Sequence, residues 1–214
     1  MKKLSAVCLL LLSGALAADI PLDNLARLEG MNSLLEKTTY HGRTALKMTE
    51  KEPGPGSAFA TIKDLEFHDG VIEVEVSGAP SKTADPTARG FIGVLFRMQG
   101  NQAEQIYLRP SNGRAEDQLQ RNHSVQYCAV PDWGWKRLRD ETPGQYEAYA
   151  DLQPGEWTRM RIEVHGKEAR LYVGGAAQPC LIVKDMKLGD TRGGVALWVG
   201  PGTEGYFRNL TVKE

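Results

Sequence analysis

Apolar and polar residues alternate along most of the chain beyond Arg43, in short runs rich in β-branched and aromatic side chains and separated by Gly, Pro, Asn and Asp. That spacing suits antiparallel strands. In 157–165, Thr158, Met160, Ile162 and Val164 fall on one side, and Arg159, Arg161, Glu163 and His165 on the other, a strand with one buried and one wet face. In 71–77, Val71 lies opposite Ile72, and Glu73 and Glu75 share a face. The same reading predicts strands over 44–49, 58–62, 70–77, 91–97, 104–109, 124–129, 146–151, 157–165, 169–173, 180–184, 194–199 and 206–212. Only 22–36 carries a spacing that suits a helix, and Gly30 interrupts it. About a dozen strands without a long helix predict an all-β chain of two antiparallel sheets packed as a sandwich.

The breaks between the runs differ in kind. Segments 52–56 and 78–89 are rich in Pro and Gly and read as surface loops. Segments 110–122 and 131–144 are long, irregular and basic, and the second holds Trp133 and Trp135, so both are candidates for a functional surface.

The first 17 residues follow another pattern. Lys2 and Lys3 precede an apolar run over 6–12 and the small-residue sequence Ala15-Leu16-Ala17, the form of a secretory signal. A mature chain beginning near Ala18 is expected, with 18–214 as a single domain in a secreted or periplasmic protein. No later apolar run reaches the roughly 18 residues of a membrane span.

Charge changes the picture only locally. The 214-residue chain has a formal net charge of −1, which falls to −3 without Lys2 and Lys3 and argues against nucleic-acid binding. Between Arg97 and Arg139, seven basic residues face four acidic ones, so an excess of positive charge gathers around the two irregular segments. Beyond the signal, Cys128 and Cys180 are the remaining cysteines. A disulfide between them would close 53 residues and contribute about 4 kcal/mol; two separate buried thiols fit the sequence equally well.

Candidate chemistry gathers around 104–110. Alternation buries Ile106 and Leu108 and turns Gln105, Tyr107 and Arg109 to the opposite face. Arg97 ends its own strand on the face opposite Val94 and Phe96, and Glu147, Tyr149 and Asp151 share a face of a later strand. Sugars suit such a floor, because hydroxyl groups need planar donors and acceptors while C–H faces stack on aromatic rings. Trp133 and Trp135 would supply the rim. Asn112, Arg114, Arg121 and Asn122 add donors from a turn-rich loop, and His123 is a candidate general base with Tyr127 as acid partner. The competing reading is a solvated face whose polar groups pair with one another.

The runs Gly70-Val71-Ile72-Glu73-Val74-Glu75-Val76, Gly90-Phe91-Ile92-Gly93-Val94-Leu95-Phe96-Arg97 and 155–164, followed by Ala169-Arg170-Leu171-Tyr172-Val173, resemble the concanavalin A-like lectin/glucanase superfamily. Within it, laminin-G-like jelly rolls and bacterial 3-keto-disaccharide hydrolase-like domains are most similar, over about residues 40–213. The resemblance implies a jelly-roll sandwich that meets carbohydrate, sometimes with a structural calcium. It does not give a function by itself. The Glu-x-Asp-x-x-Glu strand of family 16 glucanases is absent; Glu73 with Glu75, and Glu147 with Asp151, are the nearest candidates. Similar jelly-roll lyases pair Arg and Gln with His or Tyr, residue types present here as Arg97, Gln105, Arg109, His123 and Tyr127, although Tyr107 stands where their strand carries His.

The sequence therefore leads to a carbohydrate-recognising jelly roll, either binding or processing a glycoside. Its candidate catalytic residues are His123, Tyr127, Glu147 and Asp151. Its candidate ligand residues are Arg97, Gln105, Tyr107, Arg109, Asn112, Arg114, Arg121, Asn122, Trp133, Trp135 and Tyr149. An acidic-glycan lyase and a non-catalytic module with a protein partner are the alternatives.

Overall fold

Strands form where the alternation lies, and in 157–165 the buried residues, Met160, Ile162 and Val164, are those that the pattern assigns. The computed structural model describes residues 18–53 and 58–214. The expected signal at 1–17 and the loop residues 54–56 lie outside the described residues. With strands numbered in chain order, one sheet runs β13 (Leu181–Val183), β12 (Glu168–Val173), β11 (Thr158–His165), β6 (Gly70–Pro80), β15 (Thr203–Lys213), β4 (Arg43–Glu50), β3 (Ser33–Tyr40), with β1 (Ala18–Ile20) paired to β15. The other runs β10 (Glu147–Ala148), β9 (Val125–Val130), β8 (Gln102–Leu108), β7 (Ile92–Gln99), β14 (Gly193–Val199), β5 (Ala58–Phe67), β2 (Leu28–Met31). Every pairing is antiparallel.

The core lies between the sheets. Leu46, Met48, Ile72, Val76, Met160, Ile162 and Phe207 meet Ile62, Phe67, Val94, Phe96, Ile106 and Leu197 there, all buried. Each such side chain contributes about 1.5–3 kcal/mol.

Segment 22–36 departs from its helical spacing. It holds one 3-10 turn, Leu25–Arg27, followed by β2 in one sheet and β3 in the other. The spacing does not mark a buried stripe: Leu28 is buried, whereas Met31 and Leu34 face solvent. Asn32, at φ 47°, turns the chain from one sheet to the other. The expected strand at 146–151 shrinks to Glu147–Ala148, and β6 continues into the expected loop as far as Pro80. The two irregular segments contain short helices, α1 (Gln118–Asn122) and α2 (Trp135–Glu141).

Arg97 is not a ligand residue on an open face. A bulge follows Phe96 in the β7–β8 register, and Arg97 takes φ 52°, which re-aims its side chain. Its guanidinium is fully buried and donates to the carbonyls of His68 (2.9 Å), Gly166 (2.8 Å) and Gly189 (3.0 Å) and to Asp69 Oδ1 (2.8 Å). One side chain thereby ties three turns together at one end of the sandwich. Burial works to raise the Asp69 pKa, but the Gly166 N–H with His68, Arg97 and His165 outweighs it and holds the carboxyl below its usual range.

Replacing Arg97 with Met leaves three carbonyls without this donor and Asp69 with only the Gly166 N–H and His165. The expected loss is about 3–5 kcal/mol, a fall in melting midpoint of roughly 10 °C for a chain of this size, measured by thermal and urea unfolding. A loss below about 1 kcal/mol would contradict the clamp.

Candidate functional site

The outer face of the second sheet is built by register. Trp198, Gly93, Tyr107 and Gln126 stand side by side across β14, β7, β8 and β9, and Ala196, Leu95, Gln105 and Cys128 form the next row. Gly93 makes the first row fit: a Cβ there would lie 2.3 Å from the Ile106 carbonyl oxygen and 2.6 Å from Tyr107 Cβ. In the space it leaves, the rings of Tyr107 and Trp198 approach to 4.9 Å between centroids, and Phe91 stands edge-on to Tyr107 at 6.3 Å.

Segments 81–88 and 201–202 wall this floor on one side, and Val130 with the start of α2 on the other. They enclose a groove of about 590 Å³ lined by Phe91, Gln105, Tyr107, Cys128, Trp135 and Trp198. A second hollow of about 580 Å³ adjoins it, lined by Arg89, Arg109, Asn112, Asp117, His123 and Arg139. Thr87, Phe91 and Trp135 belong to both, so Trp135, 45% exposed, stands at the waist between an aromatic and a charged half.

A buried ionic network underlies the charged half. Glu147, with only 2% of its side chain exposed, accepts from Arg109 Nη1 at 3.3 Å and from Arg139 Nε at 2.9 Å, with a further bond from Arg139 Nη2. Arg109 also donates to the Tyr107 hydroxyl (2.9 Å), Gln126 Oε1 (3.0 Å) and the His123 carbonyl (3.0 Å). Asn112 donates to that carbonyl as well, at 3.1 Å. Asp117 caps α1 through the Gln120 N–H at 2.7 Å, and His123 ends the helix, which brings its Nε2 to 3.5 Å from Glu147 Oε2.

Burial lowers the His123 pKa, Glu147 opposes the change, and the charges of Arg139 and Arg109 add to it, so the ring stays below its ordinary value. A lowered pKa favours the neutral imidazole at pH 7. Burial pushes the Tyr107 phenol well up and the Cys128 thiol up to about 12; both remain protonated.

The sequence-derived residues separate accordingly. His123, Glu147, Gln105, Tyr107, Arg109, Asn112 and Trp135 converge on the groove or its buried support. Tyr127 does not. It lies on the inner face of β9, fully buried, donates to Glu104 Oε2 at 2.6 Å and accepts from the Lys187 N–H at 2.6 Å. Asp151 and Arg114 form an exposed pair with Gln153, beyond the short β10, and Tyr149 is exposed beside them. Arg121 braces its loop through the Ala115 and Glu116 carbonyls, and Asn122 faces solvent. Trp133 lies between Arg137 and Lys187, 3.6 and 5.1 Å from its ring. Phe91, Trp198, Arg89 and Arg139 were missed. Alternation already places Trp198 opposite Leu197 and Val199, and Arg139 follows Trp135 by four residues on one helix face.

Cys128 and Cys180 are free thiols. For a cation, the described residues offer His68, Asp69 and Asp190 within reach of one another, but the Arg97 guanidinium lies 2.8 Å from Asp69 and 3.6 Å from Asp190. The positive charge that such a cluster would attract is already present, and the set does not suit calcium.

Residues 28–213 match the model of the 3-keto-alpha-glucoside-1,2-lyase-like domain. The chain belongs to that family. Solved structures similar to this chain include the carbohydrate-binding module CBM66 from Bacillus subtilis, with 12% identity, 86% of this chain and 93% of that one covered, and TM-score 0.60. A putative glycosyl hydrolase from Parabacteroides distasonis shares 14% identity over 91% and 98% of the two chains, at TM-score 0.57. A β-1,3-1,4-glucanase from a mouse hindgut metagenome shares 12% over 92% and 98%, at 0.58. No curated protein matches the chain. The chain shares the antiparallel jelly-roll fold of these neighbours.

The ionic network predicts the titration of His123. Its folded pKa lies below the unfolded value of about 6.5, so the folded chain binds fewer protons. The stability that this contributes is present above the unfolded value and lost as pH falls through the folded one. NMR titration of the ring should give a midpoint below 6.5, and Glu147→Gln should move it lower still by removing the opposing charge. A wild-type midpoint at or above 6.5 would contradict the arrangement.

Proposed function

We propose that the groove binds a glycoside and that its charged half carries out elimination on a 3-keto sugar, in a secreted or periplasmic protein. The observation that carries this reading is the continuity of an aromatic floor with a hollow in which His123 stands beside Glu147. A pyranose C–H face stacks on Tyr107 and Trp198, Trp135 flanks it at the waist, and the Gln105 side chain faces the ring hydroxyls.

A ketone at C3 acidifies the C2 hydrogen. His123 takes that proton; the electrons of the C2–H bond form the C1=C2 double bond, and the C1–O1 bond breaks. The imidazolium then returns the proton to the departing oxygen, so the balance closes without a further reactant. Glu147 is a positioning residue that orients the imidazole and stabilises its charged form, as in other carboxylate–histidine pairs. Tyr107 and Cys128, both protonated, serve as hydrogen-bond donors rather than nucleophiles. The family description supports this chemistry, and the fold of the carbohydrate-binding neighbours supports the ligand class.

Incubating residues 18–214 with a 3-keto glycoside and with its unoxidised parent, followed by mass analysis of products, tests the reading. Only the keto form should be converted. His123→Ala should lower the rate by about 100-fold or more with affinity nearly unchanged, whereas Trp135→Ala should weaken affinity roughly tenfold. Saturable binding without conversion would leave a lectin-like module. Conversion of an unoxidised uronate polymer would favour the acidic-glycan lyase, and no response to any glycan would favour a protein partner.

A further inference from the structure

The two halves of the groove differ in charge, and the charged half has donors to spare. Three guanidinium groups, Arg89, Arg109 and Arg139, line it, against one lining carboxylate, Asp117. Glu147 lies behind Arg109 and Arg139, almost wholly buried. With Asp117 and Glu147 counted and His123 neutral, the lining and its buried support keep one net positive charge, with Asp85 near Arg89 and Asp140 near Arg139 outside them, while the whole chain carries −1.

Arg109 has partners on both terminal nitrogens. Arg89 uses only Nη1, toward the carbonyls of Pro86 (2.7 Å) and Ala88 (2.9 Å), and Arg139 uses Nε and Nη2 toward Glu147. Among the described residues, Arg89 Nε and Nη2 and Arg139 Nη1 therefore have no protein acceptor. Neutral sugar hydroxyls would accept from them but bring no opposing charge. An oxyanion satisfies both the donors and the charge, and planar guanidinium groups suit carboxylate, sulfate and phosphate oxygens.

We propose that the charged half receives an anionic substituent of the bound glycoside, a carboxylate or a sulfate or phosphate ester, held by Arg89 and Arg139. This rests on the reading of the groove as a glycoside site and adds the class of glycoside. Trp135 and Phe91, at the waist, set the distance between the stacked ring and the anion.

The test uses a matched pair, methyl glucuronide and methyl glucoside, titrated calorimetrically into the 18–214 chain at low salt, with inorganic sulfate as a third ligand followed through the His123 ring resonances. The glucuronide should bind at least tenfold more tightly. That preference should shrink to about twofold in 0.5 M salt and in Arg89→Gln, and most of it should return in Arg89→Lys, which keeps the charge. Equal affinities for the pair, or a preference for the glucoside, would overturn the anionic class while leaving the glycoside reading intact. Sulfate shifting the His123 resonances when neither sugar binds would overturn the glycoside as the source of the anion. Silence from all three ligands would overturn the anionic class, and the glycoside reading would then stand or fall with the 3-keto substrate.

Discussion

Glu147 is held almost wholly out of water between two guanidinium groups. A carboxylate in that position is stable only while its partners remain, because an unpaired buried charge costs several kcal/mol. Its partners come from different parts of the chain: Arg109 from the end of β8, Arg139 from α2 and, 3.5 Å away, His123 from the end of α1. One carboxylate therefore fixes the two irregular segments against the sheet. It also sets the electrostatic state of the histidine, and it orients Arg109 so that the same guanidinium anchors the Tyr107 hydroxyl. The aromatic floor and the charged hollow are thus coupled through a single buried group.

The outer faces of the sandwich differ in what they offer a ligand. On the first sheet, Arg159 pairs with Glu73, Arg161 with Glu163 and Arg208 with Glu75. These pairs satisfy one another at the surface, contribute little to stability and leave few free donors. On the second sheet, rings replace charges across the centre, and Gly93 removes the side chain that would separate them. Loops raised on both sides turn that floor into a groove. The far end of β7 has the opposite design. There the buried Arg97 meets turn carbonyls and Asp69 and closes the sandwich, so a residue type suited to ligands serves the frame instead.

Much of this was legible in the sequence. Two-residue alternation located the strands, and the shared face of Gln105, Tyr107 and Arg109 follows from alternation alone. His123 and Glu147 were legible as residue types but not as a pair, because their meeting depends on how α1 and β10 close on β9. Where alternation breaks, sequence reasoning failed. The bulge after Phe96 turned Arg97 into the interior. Tyr127 follows its strand's inward phase, and its hydroxyl meets a buried Glu104 that residue type alone would place in water. In 22–36, helical spacing arose from two short strands in different sheets. Trp198 was open to the same alternation argument as Tyr107, but recognising it as part of the floor requires knowing that β14 lies beside β7.

The central claim is that the glycoside lies over Tyr107 and Trp198 with its polar end at the arginine and histidine hollow. A crystal structure of the His123→Ala chain soaked with an intact 3-keto glycoside tests it most directly. The account predicts density for a sugar ring stacked on those two aromatic rings, passing Trp135, with C2 facing the space vacated by the imidazole. Density on the outer face of the first sheet, beside Trp157, with the groove filled only by solvent, would contradict it.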